Sequence, residues 1–339
     1  MTHTIFVLYN NNGKLGIKWN YQFLSEEFQE GIKAINLIYD KGYLLWLADN
    51  RKKVKPRQNR TCKFCGKSFP DVKFSHLTHK IPEFMGNKYH LSDFECDNCN
   101  SKFSLYENDL ANYLGLYRTI AEIIGKKGVP KYKSRDKAMS IEQAFKNALD
   151  VRVNKLNNIN NIFTYADGGG FRIKSQGDPY IPINAFKCLL KSAISFVFED
   201  DLKFLSKSIK FLNEDEYVPD QANDFIFTIH QYFVPGNFTN TPPFIIHYKK
   251  GIKFINYPSP SLIFIFYIKN LILQMFIPFH DKDTFIYNSN LERKLFIVPP
   301  LINNDWFKKY GGPFSRLMNL NNSNVIKENM QVIDWKSTK

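Results

Sequence analysis

Two Cys-x-x-Cys pairs, Cys62-Lys-Phe-Cys65 and Cys96-Asp-Asn-Cys99, lie about thirty residues apart, and between them stands Thr78-His79-Lys80-Ile81-Pro82. Each pair offers two thiolates in a fixed fork, so together they can close one tetrahedral zinc site. Four cysteines leave no open coordination position, which makes a zinc held there structural. The enclosed segment becomes a loop held at both ends, carrying His79 and followed directly by Asn100. A neutral imidazole can take a proton near neutral pH, and beside a carboxamide and a fixed metal it could serve phosphodiester hydrolysis. The cysteines taken alone favour a zinc ribbon without catalysis.

The charge pattern points to a polyanion. The chain of 339 residues carries a net charge of +14, and lysine and arginine neutralise phosphates while releasing counterions. The excess flanks the cysteines. Arg51, Lys52, Lys53, Lys55, Arg57, Arg60 and Lys63 run into the first pair, and Lys126, Lys127, Lys131, Lys133, Arg135 and Lys137 follow the second. A hydrophobic share of 44% with 23% charged residues is that of a globular chain with a real core. Five cysteines in a chain this long argue against a disulfide scaffold, and the N-terminus lacks the pattern of a signal peptide, so a cytoplasmic location is expected. Cys188, in a helical pattern, reads as a buried small hydrophobe. The apolar run 262–278 is short for a membrane crossing and is interrupted by Lys269, Asn270 and Gln274. It reads as buried strand, and no membrane partner is expected.

Among the supporting elements, residues 5–19 read as a hairpin and 25–39 as a helix with Ser25 as its N-cap. After Asn100, the residues Phe103, Tyr106, Leu110, Tyr113, Leu114 and Leu116 recur at helical spacing until Gly125, Gly128 and Pro130. Ser140 and Gln143 suggest a capping box, so a helix is expected over 140–156. Residues 183–212 read as two helices split around Glu199-Asp-Asp201. Strand-like runs follow near 225–230, 244–248, 252–256, 262–268, 284–287 and 295–298. The fold class expected is α+β: a small zinc-bound domain, then a larger mixed C-terminal domain with a mainly antiparallel sheet. The expected boundaries are an N-terminal segment and basic linker at 1–60, the zinc domain at 61–125, a linker and helix at 126–156, and the C-terminal domain at 157–339.

The central segment resembles the HNH endonuclease family, in its zinc-stapled ββα-metal branch. The residues that carry the resemblance are His79-Lys-Ile-Pro82-Glu83, Gly86-Asn87, Cys96-Asp-Asn-Cys99-Asn100 and Phe103-Ser-Leu-Tyr-Glu107. The resemblance implies that His79 is the general base and that Asn87 steadies the loop or orients the histidine. It implies that Asn100 binds a catalytic divalent ion, Mg²⁺ or Mn²⁺, with Glu107 binding it directly or through water. Many family members place an acidic ligand before the histidine, where this chain has Thr78. Glu107, Asp93 and His76 are the candidates to supply that charge. DNA, most readily double-stranded, is the implied partner, held by Arg51, Lys52, Lys53, Lys55, Arg57, Arg60 and Lys80. The C-terminal domain is expected to regulate the nuclease, read its target or make a homo-oligomer, as in a bacterial defence or restriction effector. The rival reading is a zinc knuckle that grips nucleic acid without cutting it, its site degraded at Thr78.

Overall fold

The computed structural model describes residues 9–11, 14–16, 39–46, 55–88, 90–145, 148–154, 159–166, 170–234, 244–251, 259–283 and 314–335. In chain order the strands and helices begin with β1 (Tyr9–Asn11), β2 (Lys14–Gly16) and β3 (Tyr39–Trp46). Next come β4 (Thr78–His79), β5 (Leu91–Ser92) and the long helix α1 (Asp97–Ile120). Then follow β6 (Tyr132–Lys133), β7 (Met139–Phe145), β8 (Ala148–Val153), α2 (Ile159–Ile162), β9 (Phe163–Ala166) and β10 (Gly170–Gly177). Three helices, α3 (Pro182–Ile194), α4 (Glu199–Leu202) and α5 (Ser206–Asn213), precede β11 (Thr228–Phe233) and β12 (Phe244–Lys250). The last strands are β13 (Leu262–Ile268), β14 (Leu271–Phe276), β15 (Phe314–Asn319) and β16 (Asn329–Trp335). The mixture of helices with antiparallel sheet is the expected α+β class.

The chain forms two compact units that interleave along the sequence. One draws on Met1–Asp49, Leu190–Gly236 and Pro243–Asn321, the other on Asn50–Leu189, Asn237–Pro242 and Asn322–Lys339. The unit bearing the cysteines thus also takes in residues 157–189 and the C-terminal strand β16.

The first unit is built on a six-stranded antiparallel sheet in the order β15-β11-β14-β13-β12-β3. The membrane-like run is its central hairpin. All residues of β13 and β14 are buried, so both faces must be apolar and the alternation that marks a half-exposed strand vanishes. Lys269 and Asn270 interrupt the run because they make the turn; the Asn270 side chain donates to the Val234 carbonyl at 2.7 Å. No helix among the described residues is long and apolar enough to cross a membrane. The strand expected at 225–230 begins three residues later, after a 3₁₀ turn over Gln221–Phe227. The expected helix over 25–39 lies outside the described residues apart from Tyr39, which opens β3. Of the expected hairpin at 5–19, β1 and β2 are described and pair antiparallel. The strands expected at 252–256, 284–287 and 295–298 lie outside the described residues.

Three buried histidines in this unit set an acid limit on its stability. Burial holds His230 down to about 3, and burial chiefly holds His247 and His280 down to about 4, from an ordinary 6.5. The unfolded chain therefore binds these protons first as pH falls. The stability they carry is complete above pH 6.5 and is lost progressively between 6.5 and about 4. Asp283 works in the opposite sense, since burial pushes its carboxyl up to about 6. Three groups against one leave a net loss of about 3 kcal/mol per pH unit near pH 5. Urea midpoints measured at pH 7 and pH 5 should fall accordingly; equal midpoints would contradict this.

In the second unit, the helix expected over 140–156 is instead the hairpin β7–β8. The capping-box signal is overridden by period two: Met139 and Ile141 are buried while Ser140 and Glu142 are half-buried, and Val151 and Val153 favour extended backbone. Ser134 Oγ accepts from the Met139 amide at 2.9 Å, which ties the start of β7 to the preceding turn. A second three-stranded sheet, β16-β10-β9, belongs to the same unit.

Helix α1 breaks at Gly115, whose φ of 36° and ψ of −113° lie outside helical space. The Gln331 side chain of β16 fills the break. Its Oε1 accepts from the Leu116 amide at 2.6 Å, and its Nε2 donates to the Asn112 carbonyl at 3.2 Å. A Cβ at position 115 would run into that same amide. Gly115→Ala should therefore destabilise this unit by about 1–3 kcal/mol, read as a lower urea midpoint. A neutral result would show that the Gln331 contact yields without loss.

Candidate active site

The two Cys-x-x-Cys pairs meet. Cys62, Cys65, Cys96 and Cys99 place their sulfurs within 4.8 Å of one another, and none is in a disulfide. Cys62 and Cys99 are 3.7 Å apart, Cys65 and Cys96 3.8 Å. Four sulfurs at about 2.3 Å from a tetrahedral zinc sit about 3.8 Å from each other, so the donor set and its size fit zinc. Cys62 is drawn down to about 5 by its hydrogen bond with Cys99, while Cys99 is pushed up by the same bond. Burial raises Cys96 to about 11. One thiolate opposes the next, and only a central positive charge lets all four ionise.

Phe64, inside the first pair, packs edge-on to Phe103 of α1 with centroids 4.9 Å apart. That contact ties the first pair to the helix that carries the second. The start of α1 is tied in turn to the chain entering β4. The Asp97 carboxylate accepts from the Ser75 amide at 2.9 Å and the His76 amide at 3.2 Å. Burial works to raise its pKa, but these N–H donors outweigh it and the net shift is downward. His79, three residues beyond His76, is thereby referenced to the first turn of the helix, where Asn100 sits half-buried.

β4 and β5 form a two-residue antiparallel hairpin pairing Thr78 with Ser92 and His79 with Leu91. Strand alternation sends adjacent side chains to opposite faces. Thr78 is 3% exposed, whereas the His79 side chain is 28% exposed. The order hairpin then helix, with cysteines clasping both, is the ββα arrangement expected.

Beyond β4 the loop is anchored by Ile81 and Met85, both 0% exposed. Pro82 opens a 3₁₀ turn over Glu83–Met85, and Gly86 at φ 88° closes it. This turn brings the Glu83 carboxylate to 4.0 Å from His79 Nε2. Asn87 is fully buried and acts within the loop. Its Nδ2 donates to the Ile81 carbonyl at 2.8 Å and the His90 carbonyl at 3.2 Å, and its Oδ1 accepts from the His90 amide at 2.9 Å. Glu107 lies two turns along α1, about 10.5 Å of helix rise from Asn100. Of the groups named for the missing charge, His76 is exposed, and Asp93 accepts from the Lys55 amide at 3.3 Å. Glu83, not among those named, is the carboxylate that stands beside His79. Its i,i+4 spacing from His79 was visible in the sequence, but only the tight turn closes it.

The basic residues divide. Arg51, Lys52 and Lys53 lie outside the described residues. Lys55 and Arg57 are exposed. Arg60 departs from the expected surface role: it is 8% exposed, donates to the Lys55 carbonyl at 2.8 Å and lies over the Phe74 ring. An arginine stem can pack against apolar surface in this way while its head keeps a hydrogen bond. The ammonium groups of Lys63 and Lys80 stand 4.4 and 5.1 Å from the Phe94 ring centre. In the second basic cluster, Lys131 is paired with Glu142 at 2.8 Å.

This segment is where a known family enters. Residues 62–109 match the HNH endonuclease family. No curated protein and no solved structure matches the chain. The HNH segment so defined runs from the first cysteine into the middle of α1, and holds all four cysteines, His79, Asn87, Asn100 and Glu107.

Proposed function

We propose that the protein is a metal-dependent endonuclease that hydrolyses DNA phosphodiester bonds. The observation that carries this reading is His79: half-exposed on the hairpin of an HNH segment, on a loop fixed by Asn87 and by the four-cysteine site. In this reading His79 Nε2 takes a proton from the water attacking phosphorus. Glu83, 4.0 Å away, then faces the imidazolium that forms. Asn87 acts by holding the loop. The four cysteines hold zinc for structure. The carboxamide of Asn100 and the carboxylate of Glu107 are hard oxygen donors suited to Mg²⁺ or Mn²⁺; such an ion would neutralise charge developing on the leaving oxygen. Lys55, Arg57 and Lys80 contact backbone phosphates, which fix position without reading sequence. Double-stranded DNA is the substrate, the cell interior the setting and bacterial defence or restriction the role. The remaining, larger part of the chain serves as regulator or oligomerisation module.

One observation favours a second reading. Thr78 is turned into the fold and offers no carboxylate where many family members have one, which suits a module that binds nucleic acid without cutting it. Plasmid cleavage by zinc-loaded protein in Mg²⁺ or Mn²⁺ separates the two. Metal-dependent nicking or linearisation supports the nuclease. Salt-sensitive binding with no cleavage under either ion supports the binding module.

A further inference from the structure

Arg118 lies in the last turn of α1, beyond the HNH segment. Its guanidinium sits 4.7 Å over the centre of the Phe84 ring. Phe84 follows Glu83, whose carboxylate is the one beside His79. The helix thus returns a cation to the turn that carries the candidate active site.

That cation has no countercharge among the described residues. Among the described residues no ion pair or side-chain hydrogen bond engages it, and its Nε is sealed from solvent with no acceptor there. Burial alone lowers its pKa, with no charged group contributing. Arg118 is half-buried, with its Nε sealed, and a guanidinium partly withdrawn from water without a countercharge loses solvation that a bound anion would offset. A guanidinium seated over a ring is restrained in position, and its planar fork of N–H donors suits bidentate contact with a phosphate. A neighbouring carboxylate would have made Arg118 a structural ion pair; none is present among the described residues.

We propose that Arg118 binds a phosphodiester group of the nucleic-acid strand that lies against the His79–Glu83 turn. This rests on the nuclease reading above and adds to it an anion site that neither the HNH match nor the basic runs of the sequence contain. Phe84 holds the guanidinium in place, and the phosphate supplies the missing charge.

The test is duplex binding by the full-length, zinc-loaded chain in Mg²⁺-free buffer, followed by fluorescence anisotropy between 50 and 200 mM KCl. Each phosphate contact contributes about 0.9 to the slope of log K against log salt. Arg118→Met keeps an apolar stem over Phe84 and removes the charge. It should weaken binding about tenfold at the lower salt and flatten the slope by about one. Arg118→Lys should retain the slope. A wild-type slope and affinity in Arg118→Met would overturn the proposal while leaving the nuclease reading in place. A wild-type chain that binds no duplex would bring down that reading itself.

Should Arg118→Met fail to fold, the wild type decides. The Arg118 Nε–H resonance, identified by its absence in Arg118→Lys, should shift on adding duplex. A resonance that stays still, or that moves with inorganic phosphate and not with duplex, would overturn the proposal, the latter in favour of a small-anion site.

Discussion

Stripping the zinc, or replacing Cys99 by serine, is expected to unfold the HNH segment. Its core is small: Phe64, Phe74, Ile81, Met85 and Phe103 are its fully buried large side chains around the hairpin, and β4 and β5 have two residues each. A pair of two-residue strands cannot hold a register by itself. The four thiols supply the missing constraint, and the free energy of zinc binding is then folding free energy, about 10 kcal/mol or more in small zinc domains. Elemental analysis should find one zinc per chain, and amide exchange across residues 62–103 should lose its protection on chelation. The other unit has its own six-stranded sheet and should keep its protection. Undiminished protection of the HNH segment in zinc-free protein would refute this account.

The second large effect is on catalysis. His79→Ala should lower plasmid cleavage by about 10²–10⁴-fold, the range a general base contributes, while zinc content and duplex affinity stay at wild-type values. The separation is expected because His79 is half-exposed, and its removal leaves the anchoring of the loop by Ile81, Met85 and Asn87 in place. Loss of binding together with cleavage would mean that His79 holds the loop or the DNA rather than taking a proton. Cleavage that survives in His79→Ala would place the base elsewhere.

Much of the site was legible because its signals are local. Cys-x-x-Cys spacing fixes a fork of thiolates, Pro82 and Gly86 punctuate a turn, and apolar residues at three and four mark α1. Period two was harder to see. Over 139–153 the capping pattern at Ser140 favours a helix, yet the alternation of Met139 and Ile141 prevails and the segment is a hairpin. In β13 and β14 burial on both faces removed the alternation altogether, and length and interrupting polar residues had to stand in for it. Arg60 misled for a related reason: a basic run names charges but says nothing of which side chains pack inward.

The sequence by itself determined the four-cysteine cluster, the histidine at the centre of the segment it encloses, the helix that follows and the basic flanks. Each depends on residue type and short-range spacing, which a chain carries with it before folding. The tertiary structure decided what surrounds the histidine. It turned Thr78 inward, brought Glu83 to His79, set Asn87 to hold the loop, placed Arg118 over Phe84 and filled the Gly115 break with Gln331 from the far end of the chain. Those contacts join residues separated by a turn, a helix or most of the sequence. Their partners are selected by packing and by the need to satisfy buried polar groups, and no local pattern encodes either.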